Sequence, residues 1–355
     1  MWLRTFGGSL AVTAVGLVGA YLYAGPAGLA LAAILGVLEL TLSFDNAVVN
    51  ATVLKTMSAF WQKLFLTVGI LIAVFGMRLA FPLLVVGVTA GLSPTSAISL
   101  AMEGGDPHTP GTYGYILHDA HPAIAAFGGI FLLTLFCDFI FERREITWMG
   151  WVERPLARIG QLEQLSIAVS LLVIAVAALE FAPEGKSTTV VVSGVFGLLT
   201  YVLVKALSSR FDPDKHGGGS TLKVKVGKAA FMSFLYLEVL DATFSFDGVV
   251  GAFAITSDPI IIAIGLGLIG AMFVRSLTVF LVRQRTLEEY VYLEHGAHWA
   301  IGALAVLLLG TIKFEIPELV TGLIGISFIL LAFVSSVVRN RRATAADRSL
   351  ENAGT

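Results

Sequence analysis

The chain has 355 residues, of which 56% are hydrophobic and only 14% are charged, and its mean hydropathy is +0.85. Soluble domains carry about 25% charged residues, so this composition indicates a protein that is embedded in lipid. The net charge is −2, and the basic residues lie in short loops rather than on one face, which argues against nucleic-acid binding. The single cysteine, Cys137, excludes an intramolecular disulfide and a cysteine-based metal cluster.

The first 25 residues allow two interpretations. Arg4 precedes an apolar run of about 20 residues, and a cleaved signal peptide and a retained helix share this pattern. The run is long for a signal peptide, and the sequence Tyr21-Leu-Tyr-Ala-Gly is a poor cleavage site. We therefore expect a retained transmembrane helix.

Ten stretches reach or approach the length of about 20 apolar residues that a membrane-spanning helix needs. The ninth is the shortest. They cover residues 7–24, 27–53, 64–91, 120–141, 164–182, 188–208, 229–256, 259–282, 297–312 and 316–338. This pattern predicts an all-α polytopic membrane protein with about ten transmembrane helices.

Basic residues are concentrated in every second loop. Arg4 precedes the first stretch, and lysines and arginines follow the second, fourth, sixth, eighth and tenth. The loop 92–119 has no lysine or arginine, and the loop 183–187 has only Lys186. By the positive-inside rule, this alternation predicts a multi-pass protein of the cell (inner or plasma) membrane with both termini in the cytoplasm.

The chain is expected to divide into two halves. Residues 1–210 hold the first repeat in helices one to five, and helix six, which starts near residue 188, begins the second half. Residues 211–228 contain three consecutive glycines and are expected to form a flexible cytoplasmic linker. Residues 229–338 form the main part of the second repeat, and residues 339–355 form a polar cytoplasmic tail.

Two loops carry predictions of their own. Residues 148–161 are typical of an amphipathic segment in the membrane interface, with Trp148 and Trp151 at the level of the headgroups. Residues 93–117 are expected to form an external excursion.

One pattern occurs twice in the sequence. Glu39-Leu-Thr-Leu-Ser-Phe-Asp-Asn returns as Asp241-Ala-Thr-Phe-Ser-Phe-Asp-Gly. In both halves an arginine follows within the next helix, Arg78 or Arg275, and a His-x-x-His pair comes later. Because the copies lie five helices apart, which is an odd number, they are expected to form two inverted-topology repeats. Many secondary transporters have this architecture, with their sites near the membrane midplane.

The repeated motif places acids inside apolar stretches, where a charge is costly and by default marks a functional site. Helical spacing puts Glu39 and Asn46 on one face, whereas Asp45 and Asp247 leave that face unless the helix unwinds near Ser-Phe-Asp. Such closely spaced carboxylates cannot all stay ionised without cations or protons, and their oxygens suit Mn²⁺, Ca²⁺ or Mg²⁺. The alternative is that the acids only cap helices or pair with arginines. The candidate metal ligands are Glu39, Asp45, Asn46, Glu238, Asp241 and Asp247.

Three basic residues are candidates for charge pairing with these acids. Arg78 and Arg275 lie far from the ends of their predicted helices, so we expect them to neutralise the acids when no ion is bound. Lys313 and Asp138 lie late in their helices and are candidates for a coupling network. A packing or snorkelling role for the arginines, and an interfacial position for the other two, are the alternatives.

The two His-x-x-His pairs form a candidate secondary metal site or proton relay. His118 and His121 share one helix face, as do His295 and His298, and this geometry suits a transition metal or proton transfer. The alternative is histidines at the interface that are solvated or hydrogen-bonded to the starts of helices.

The chain resembles the TerC family of integral membrane proteins, in a TerC-like branch that carries an uncharacterised-domain label. The residues that carry the resemblance are Leu42-Ser-Phe-Asp-Asn, the motif from Asp241 to Asp247, the helix of Arg275, and Lys313 in Gly-Thr-Ile-Lys. The resemblance covers helices two to four and seven to ten. It implies an association with tellurium resistance and with export of Mn²⁺ or other divalent cations.

The resemblance also bears on the site. It implies that Glu39, Asp45, Asn46, Asp241 and Asp247 are ion ligands. In the second motif, Gly248 stands where many members of the family have serine, and this difference removes one oxygen.

These observations predict a transporter that exports a divalent cation, with Mn²⁺ favoured and Ca²⁺ the alternative, by alternating access. The ion is substrate, no cofactor is expected to be bound permanently, and the chain is not expected to be an enzyme.

The rival hypothesis is a scaffold or metal-delivery protein in a metal or tellurium stress-response complex. The expected partners are the lipid bilayer and the metal ion. A homo-oligomer or a complex with stress-response membrane proteins is compatible with the sequence, and no nucleic-acid partner is expected. An intramembrane metallohydrolase is disfavoured because the chain has no His-Glu-x-x-His motif.

Overall fold

The structure is a computed structural model in which the described residues are almost entirely helical. They are residues 2–69, 71–72, 75–76, 80, 83–84, 86–87, 90–103, 105, 108–160, 162, 164–210, 224–256, 258–283 and 290–353. This part of the chain contains no β-strand, only one isolated bridge between Met57 and Lys225. The predicted all-α class is confirmed.

The helices follow one another with short connections. In chain order they are α1 (Trp2–Leu42), α2 (Phe44–Leu54), α3 (Ala59–Leu64), α4 (Pro94–Glu103), α5 (Tyr113–Phe141), α6 (Gly150–Ile159), α7 (Leu165–Val176), α8 (Ser187–Arg210), α9 (Gly227–Ile255), α10 (Pro259–Ile262), α11 (Ala271–Arg283), α12 (Leu293–Gly310) and α13 (Glu318–Ala353). The π-helical segments Phe65–Gly69, Ala177–Phe181 and Ala263–Gly270 directly follow α3, α7 and α10.

A kink at Ala24 and Gly25 divides α1 at the predicted boundary between the first two apolar stretches. Gly25 has φ 66° and ψ −154°, a conformation that a side chain with a Cβ avoids. Pro26 follows and has no N–H group to continue the hydrogen-bond ladder. The chain therefore changes direction here and then resumes as a helix.

The backbone near Ser-Phe-Asp is almost continuously helical in both copies of the motif. In the first copy the helix is interrupted at Ser43 alone, between α1 and α2. The backbone bonds from Ser43 N to Glu39 O (2.8 Å) and from Ala47 N to Ser43 O (3.1 Å) continue across this position. In the second copy α9 runs through the motif as one helix, so its backbone is not unwound there. Unbroken backbone hydrogen bonds satisfy the peptide groups in an apolar setting.

Six helices in the described part of the chain are long and apolar enough to cross a membrane, judged by length and composition. They are Thr5–Leu40, Tyr113–Phe141, Ser187–Ala206, Pro259–Val282, Leu293–Gly310 and Leu323–Arg342. Leu165–Phe181 is a shorter apolar helix. These helices indicate a membrane protein with the lipid bilayer as its surroundings.

Small residues allow the apolar helices to approach closely. A Cβ on Gly265 would lie 2.6 Å from Leu35 Cβ, so α1 and the segment after α10 are in direct contact. Gly129 of α5 packs against Leu309 of α12 in the same way, at 2.7 Å. Close packing through glycine is typical of helix association in lipid, where hydrophobic burial provides little driving force.

Two of the segments outside the predicted spanning stretches contain helix. The expected excursion 93–117 contains the helix α4 and the first turn of α5. The polar tail continues α13 as a helix to Ala353. Within the linker 211–228, residues 211–223 lie outside the described residues, and α9 begins at Gly227.

Candidate functional site

A group of buried polar side chains lies where α1, α2 and α9 meet two of the π-helical segments, Phe65–Gly69 and Ala263–Gly270. Each of them is less than a tenth exposed. They are Glu39, Ser43, Asn46, Asn50, Glu238 and Asp241. Buried polar groups of this kind need hydrogen-bond partners, ions or protons to offset their lost hydration.

A hydrogen bond joins the two copies of the repeated motif. Asn46 Nδ2 in α2 donates to Asp241 Oδ1 in α9, at 2.6 Å. The two residues are 195 positions apart, and both are buried. The structure therefore brings together two of the predicted site residues, one from each half of the chain.

Glu39 is held by its own helix and by a glycine of the second half. Ser43 Oγ donates to Glu39 Oε1 at 2.5 Å, one helical turn away. A Cβ on Gly270 would lie 2.1 Å from Glu39 Cγ, so the backbone at Gly270 lies directly against the stem of this acid.

Glu238 is the least satisfied acid of the group. It is 7% exposed, and within the described part of the chain neither carboxylate oxygen has a hydrogen-bond partner. A Cβ on Gly69 would lie 2.6 Å from Glu238 Oε1. Gly69 and Gly270 are each the last residue of a π-helical segment, and π-helical turns are frequent at functional sites.

A small cavity of about 20 Å³ opens beside these acids. This volume is enough for one water-sized occupant. Oxygen-bearing side chains from both halves line it: Asn50, Glu238, Asp241 and Thr278. Asn50 Oδ1 is buried and, within the described residues, has no hydrogen-bond partner.

Arg275 lines the same cavity but is bonded to a carbonyl. Its Nε donates to Leu66 O at 2.8 Å, within the π-helical segment after α3. The guanidinium therefore ties α11 to the backbone of this segment. Among the described residues Arg275 has no carboxylate within 4 Å, so the predicted charge pairing is not the contact observed.

Lys313 does not contact the acids either. Its Nζ donates to the backbone oxygen of Glu180 at 2.8 Å and lies near the rings of Phe181 and Phe314. The side chain therefore ties two connections at one end of the helix bundle, because its four-carbon stem reaches past the last turn of α12. Its pairing with a site acid is not among the contacts of the described residues and stays a prediction.

Three predicted site residues cannot be placed. The side chains of Asp45 and Asp247 and the whole of Arg78 lie outside the described residues. Among the described residues, no three His, Cys, Asp or Glu side chains are grouped closely enough to hold a metal ion. Metal binding by the set of six ligands stays a prediction.

The histidines lie in four different surroundings. His118 is exposed, with its ring 6.0 Å from that of His108, whereas His121 Nε2 lies 3.4 Å from Thr311 Oγ1. His295 Nδ1 is 3.2 Å from a carboxylate oxygen of Glu153, and the ring of His298 stacks on Phe139 at 3.6 Å. A secondary metal site or proton relay at these histidines stays a prediction.

Two further acids make several hydrogen bonds: Glu153, which the sequence did not single out, and Asp138, a candidate for a coupling network. Glu153 in α6 accepts from the backbone N–H of Trp148 (3.0 Å) and from Trp299 Nε1 (3.1 Å). Asp138 accepts from Ser166 Oγ and Tyr201 Oη, both at 2.5 Å, and pairs with Lys205. Its partners lie on α7 and α8, so Asp138 ties three helices together.

The missed contributors to the central site are Asn50, Gly69, Gly270 and Thr278. Asn50 lies one helical turn after Asn46 on the same face, and this spacing was a usable signal. The two glycines and Thr278 lack such a signal, because their role depends on which helices are neighbours.

Comparison with known proteins places the chain in a family. The model described as "Protein of unknown function (DUF475)" matches residues 44–343, which is most of the chain, so the protein belongs to the DUF475 family. No curated protein and no solved structure matches it.

Proposed function

We propose that this member of the DUF475 family is an integral membrane transporter that exports a divalent metal cation, with Mn²⁺ as the favoured substrate. The observation that supports this proposal is the buried contact between Asn46 and Asp241. Beside it lies Glu238, whose two carboxylate oxygens have no hydrogen-bond partner among the described residues. An isolated buried carboxylate is unstable as an anion unless a cation or a proton accompanies it. A passing cation is the simplest partner for such a group in a membrane.

The oxygen-rich character of the site supports a hard divalent ion. Carboxylate, amide and hydroxyl oxygens line the cavity, and Mn²⁺, Ca²⁺ and Mg²⁺ prefer such ligands. The resemblance to the TerC family implies the same class of substrate. The predicted ligands Asp45 and Asp247 complete the proposed site.

A reciprocal packing pattern supports the two inverted repeats that alternating access requires. Glu39 of the first half lies against Gly270 of the second, and Glu238 of the second half lies against Gly69 of the first. Each glycine ends a π-helical segment. A rocking motion of one half against the other would change both contacts and the bond between Asn46 and Asp241 at once.

Contacts between connecting segments support the proposed ten-helix topology. Residues predicted outside the cell contact each other, as in the pair of Lys186 with Asp119. Residues predicted in the cytoplasm likewise contact each other, as in the pair of Arg144 with Glu294. Both sets fit the orientation with cytoplasmic termini.

The test is Mn²⁺ flux in proteoliposomes made with the wild type and with Asp241→Asn and Glu238→Gln. Both variants remove a buried carboxylate while keeping its shape, so we expect flux to fall at least tenfold with membrane insertion intact. The variants Asp45→Asn and Asp247→Asn are expected to behave alike. Glu184→Gln, in an exposed loop, is the matched control and should transport normally.

Three outcomes would count against the proposal. Normal flux in the Asp241 and Glu238 variants would remove the proposed site. Binding of Mn²⁺ without flux would favour the scaffold or metal-delivery role. Flux of none of the divalent ions by a correctly folded wild type would exclude the transporter.

A further inference from the structure

A second cavity, of about 250 Å³, lies at the end of α5 and under α6, away from the buried acids. It is lined by four arginines, Arg143, Arg144, Arg154 and Arg158, together with Thr147. We call it the arginine pocket. Its volume lies below the roughly 300–1,000 Å³ of pockets for drug-sized ligands, so it suits a small group.

The two acids in the lining of the arginine pocket are already engaged by other groups. They are Glu142 and Glu153. Glu142 is paired with Arg144 at 2.7 Å. Glu153 is buried and accepts from backbone N–H groups and from Trp299. Within the described residues, neither acid is paired with Arg154 or Arg158.

Arg154 and Arg158 are the two exposed guanidinium groups of the pocket that can bind an anion. They lie four positions apart on α6, so their charges are neighbours on one helix face and repel each other. Within the described part of the chain, neither has a carboxylate within 4 Å. Guanidinium groups bind phosphate through paired N–H donors, and Thr147 adds a hydroxyl donor.

Apolar side chains surround the pocket on the exposed surface of this region. Trp151 is 81% exposed, and Ile159 and Leu162 are more than half exposed. Exposed tryptophan beside arginine on an amphipathic helix is typical of the membrane interface. This arrangement favours a phosphate that is carried on a lipid.

We propose that the arginine pocket binds a phosphate-bearing anion, and that the headgroup of an anionic lipid is its source rather than free phosphate. Arg154 and Arg158 supply the main contacts. The bound headgroup would hold α6 at the membrane surface. This site is independent of the metal transport proposed above, because none of its residues lines the cavity beside the buried acids.

The test is calorimetric titration of the full-length protein in detergent. The probes are dioctanoyl phosphatidic acid, dioctanoyl phosphatidylcholine, glycerol 3-phosphate and inorganic phosphate. We expect phosphatidic acid to bind most tightly. The double variant Arg154→Gln/Arg158→Gln should bind it about tenfold more weakly, the change expected for loss of one charge-assisted hydrogen bond.

A matched control removes the same charge elsewhere. Arg341→Gln/Arg342→Gln changes two exposed arginines of α13 and should leave the affinity unchanged. If the glutamine variant of the pocket does not fold, Arg154→Lys/Arg158→Lys keeps the charge but loses the planar donor pair, and it should also bind more weakly.

Each outcome decides the proposal. Tight binding of phosphatidic acid that depends on the pocket arginines supports the lipid site. Equally tight, pocket-dependent binding of glycerol 3-phosphate or inorganic phosphate supports the phosphate site but assigns it to a free ligand. No binding, or equal weakening by the pocket and α13 variants, overturns it.

Discussion

The glycines that face the buried acids leave no space for a side chain. A Cβ on Gly270 would lie 2.1 Å from Glu39 Cγ and 2.5 Å from Glu39 Cβ, close to the backbone of α1. A Cβ on Gly69 would meet Glu238 Oε1, at the flexible end of its side chain, at 2.6 Å. The first contact can be relieved only by moving a helix, and the second can be relieved by rotating a side chain.

We therefore predict a graded loss of stability in alanine variants. Gly270→Ala should destabilise the protein by about 1–3 kcal/mol, the range for overpacking in a well-packed interior. Gly69→Ala should cost less. Gly19→Ala, with nothing within 4 Å of its Cβ, is the control and should be neutral or slightly stabilising. Thermal unfolding in detergent measures the order, and equal melting temperatures for Gly270→Ala and Gly19→Ala would contradict it.

At the scale of single residues, part of the candidate site could be predicted from the sequence. Asn46 and Asp241 could be predicted because a polar residue inside an apolar repeat stands out and its copy marks the second half. Glycine close approaches could not be predicted, since a glycine gives the same sequence signal whether it faces a partner helix or lipid. The carbonyl partner of Arg275 likewise depends on a π-helical turn, which no periodicity in the sequence indicated.

At the scale of the element, α6 is attached to the bundle through one acid. Glu153 accepts from N–H groups at the start of its own helix and from Trp299 of α12, and it lies beside His295. Burial alone would raise its pKa. The hydrogen bonds from His295 and Trp299, the charge of His295 and the N–H of Met149 together outweigh burial, so the pKa of Glu153 lies below its ordinary value.

The lowered pKa predicts how pH affects the docking of α6. A carboxyl whose folded pKa is depressed stabilises the fold above its unfolded pKa, and this contribution is lost as pH falls through the folded pKa. Glu153→Gln should therefore destabilise the protein by about 1–3 kcal/mol at pH 7, because buried donors lose their charged acceptor. The difference from wild type should shrink below about pH 4.5.

Melting temperatures of both proteins in detergent from pH 7 to pH 3.5 provide the measurement. Glu145→Gln, which removes an exposed acid from the same loop region, should match the wild type at every pH. A difference between wild type and Glu153→Gln that grows as pH falls would show that the acid does not act as an anion here.

Helix positions were largely predictable from the sequence, and attachments between helices were not. The prediction of 188–208 corresponds to α8, and 259–282 corresponds to α10 through α11, because apolar length dominates in lipid. The amphipathic segment 148–161 contains α6. Its anchor, Glu153, was not predicted, because an acid near a helix start is also common at exposed positions.

At the scale of the whole molecule, contacts at the two ends of the bundle follow the charge pattern of the loops. One end has Lys186 beside Asp119 and Lys313 bonded to the carbonyl of Glu180. The other end has Glu294 with Arg144 and Lys55. Lys55 and Arg144, which the positive-inside rule assigns to the cytoplasm, thus meet at one acid, and the sparsely charged loops around Asp119 and Lys186 contact each other elsewhere.

This segregation predicts which positions a membrane-impermeant maleimide reaches in intact cells. Cys137 is only 4% exposed and should not react, so single cysteines can be added without removing it. Thr109→Cys and Glu184→Cys, at exposed positions of one end, should be labelled directly. Glu145→Cys and Arg341→Cys, at exposed positions assigned to the cytoplasm, should be labelled only after the membrane is permeabilised.

The labelling result bears on the inverted repeats, because the two halves have opposite orientation only if an odd number of crossings separates the copies of the motif. Labelling of Thr109→Cys and Glu145→Cys from the same side would mean that α5 does not cross the membrane. This result would exclude the proposed ten-helix topology. Labelling of Glu145→Cys and Arg341→Cys from opposite sides would mean that an odd number of membrane crossings separates these two positions, whereas the predicted topology has an even number. If the lost crossing lies before α9, the acids of the two copies would enter from the same side, and a site built by a symmetric pair of inverted halves would no longer be possible.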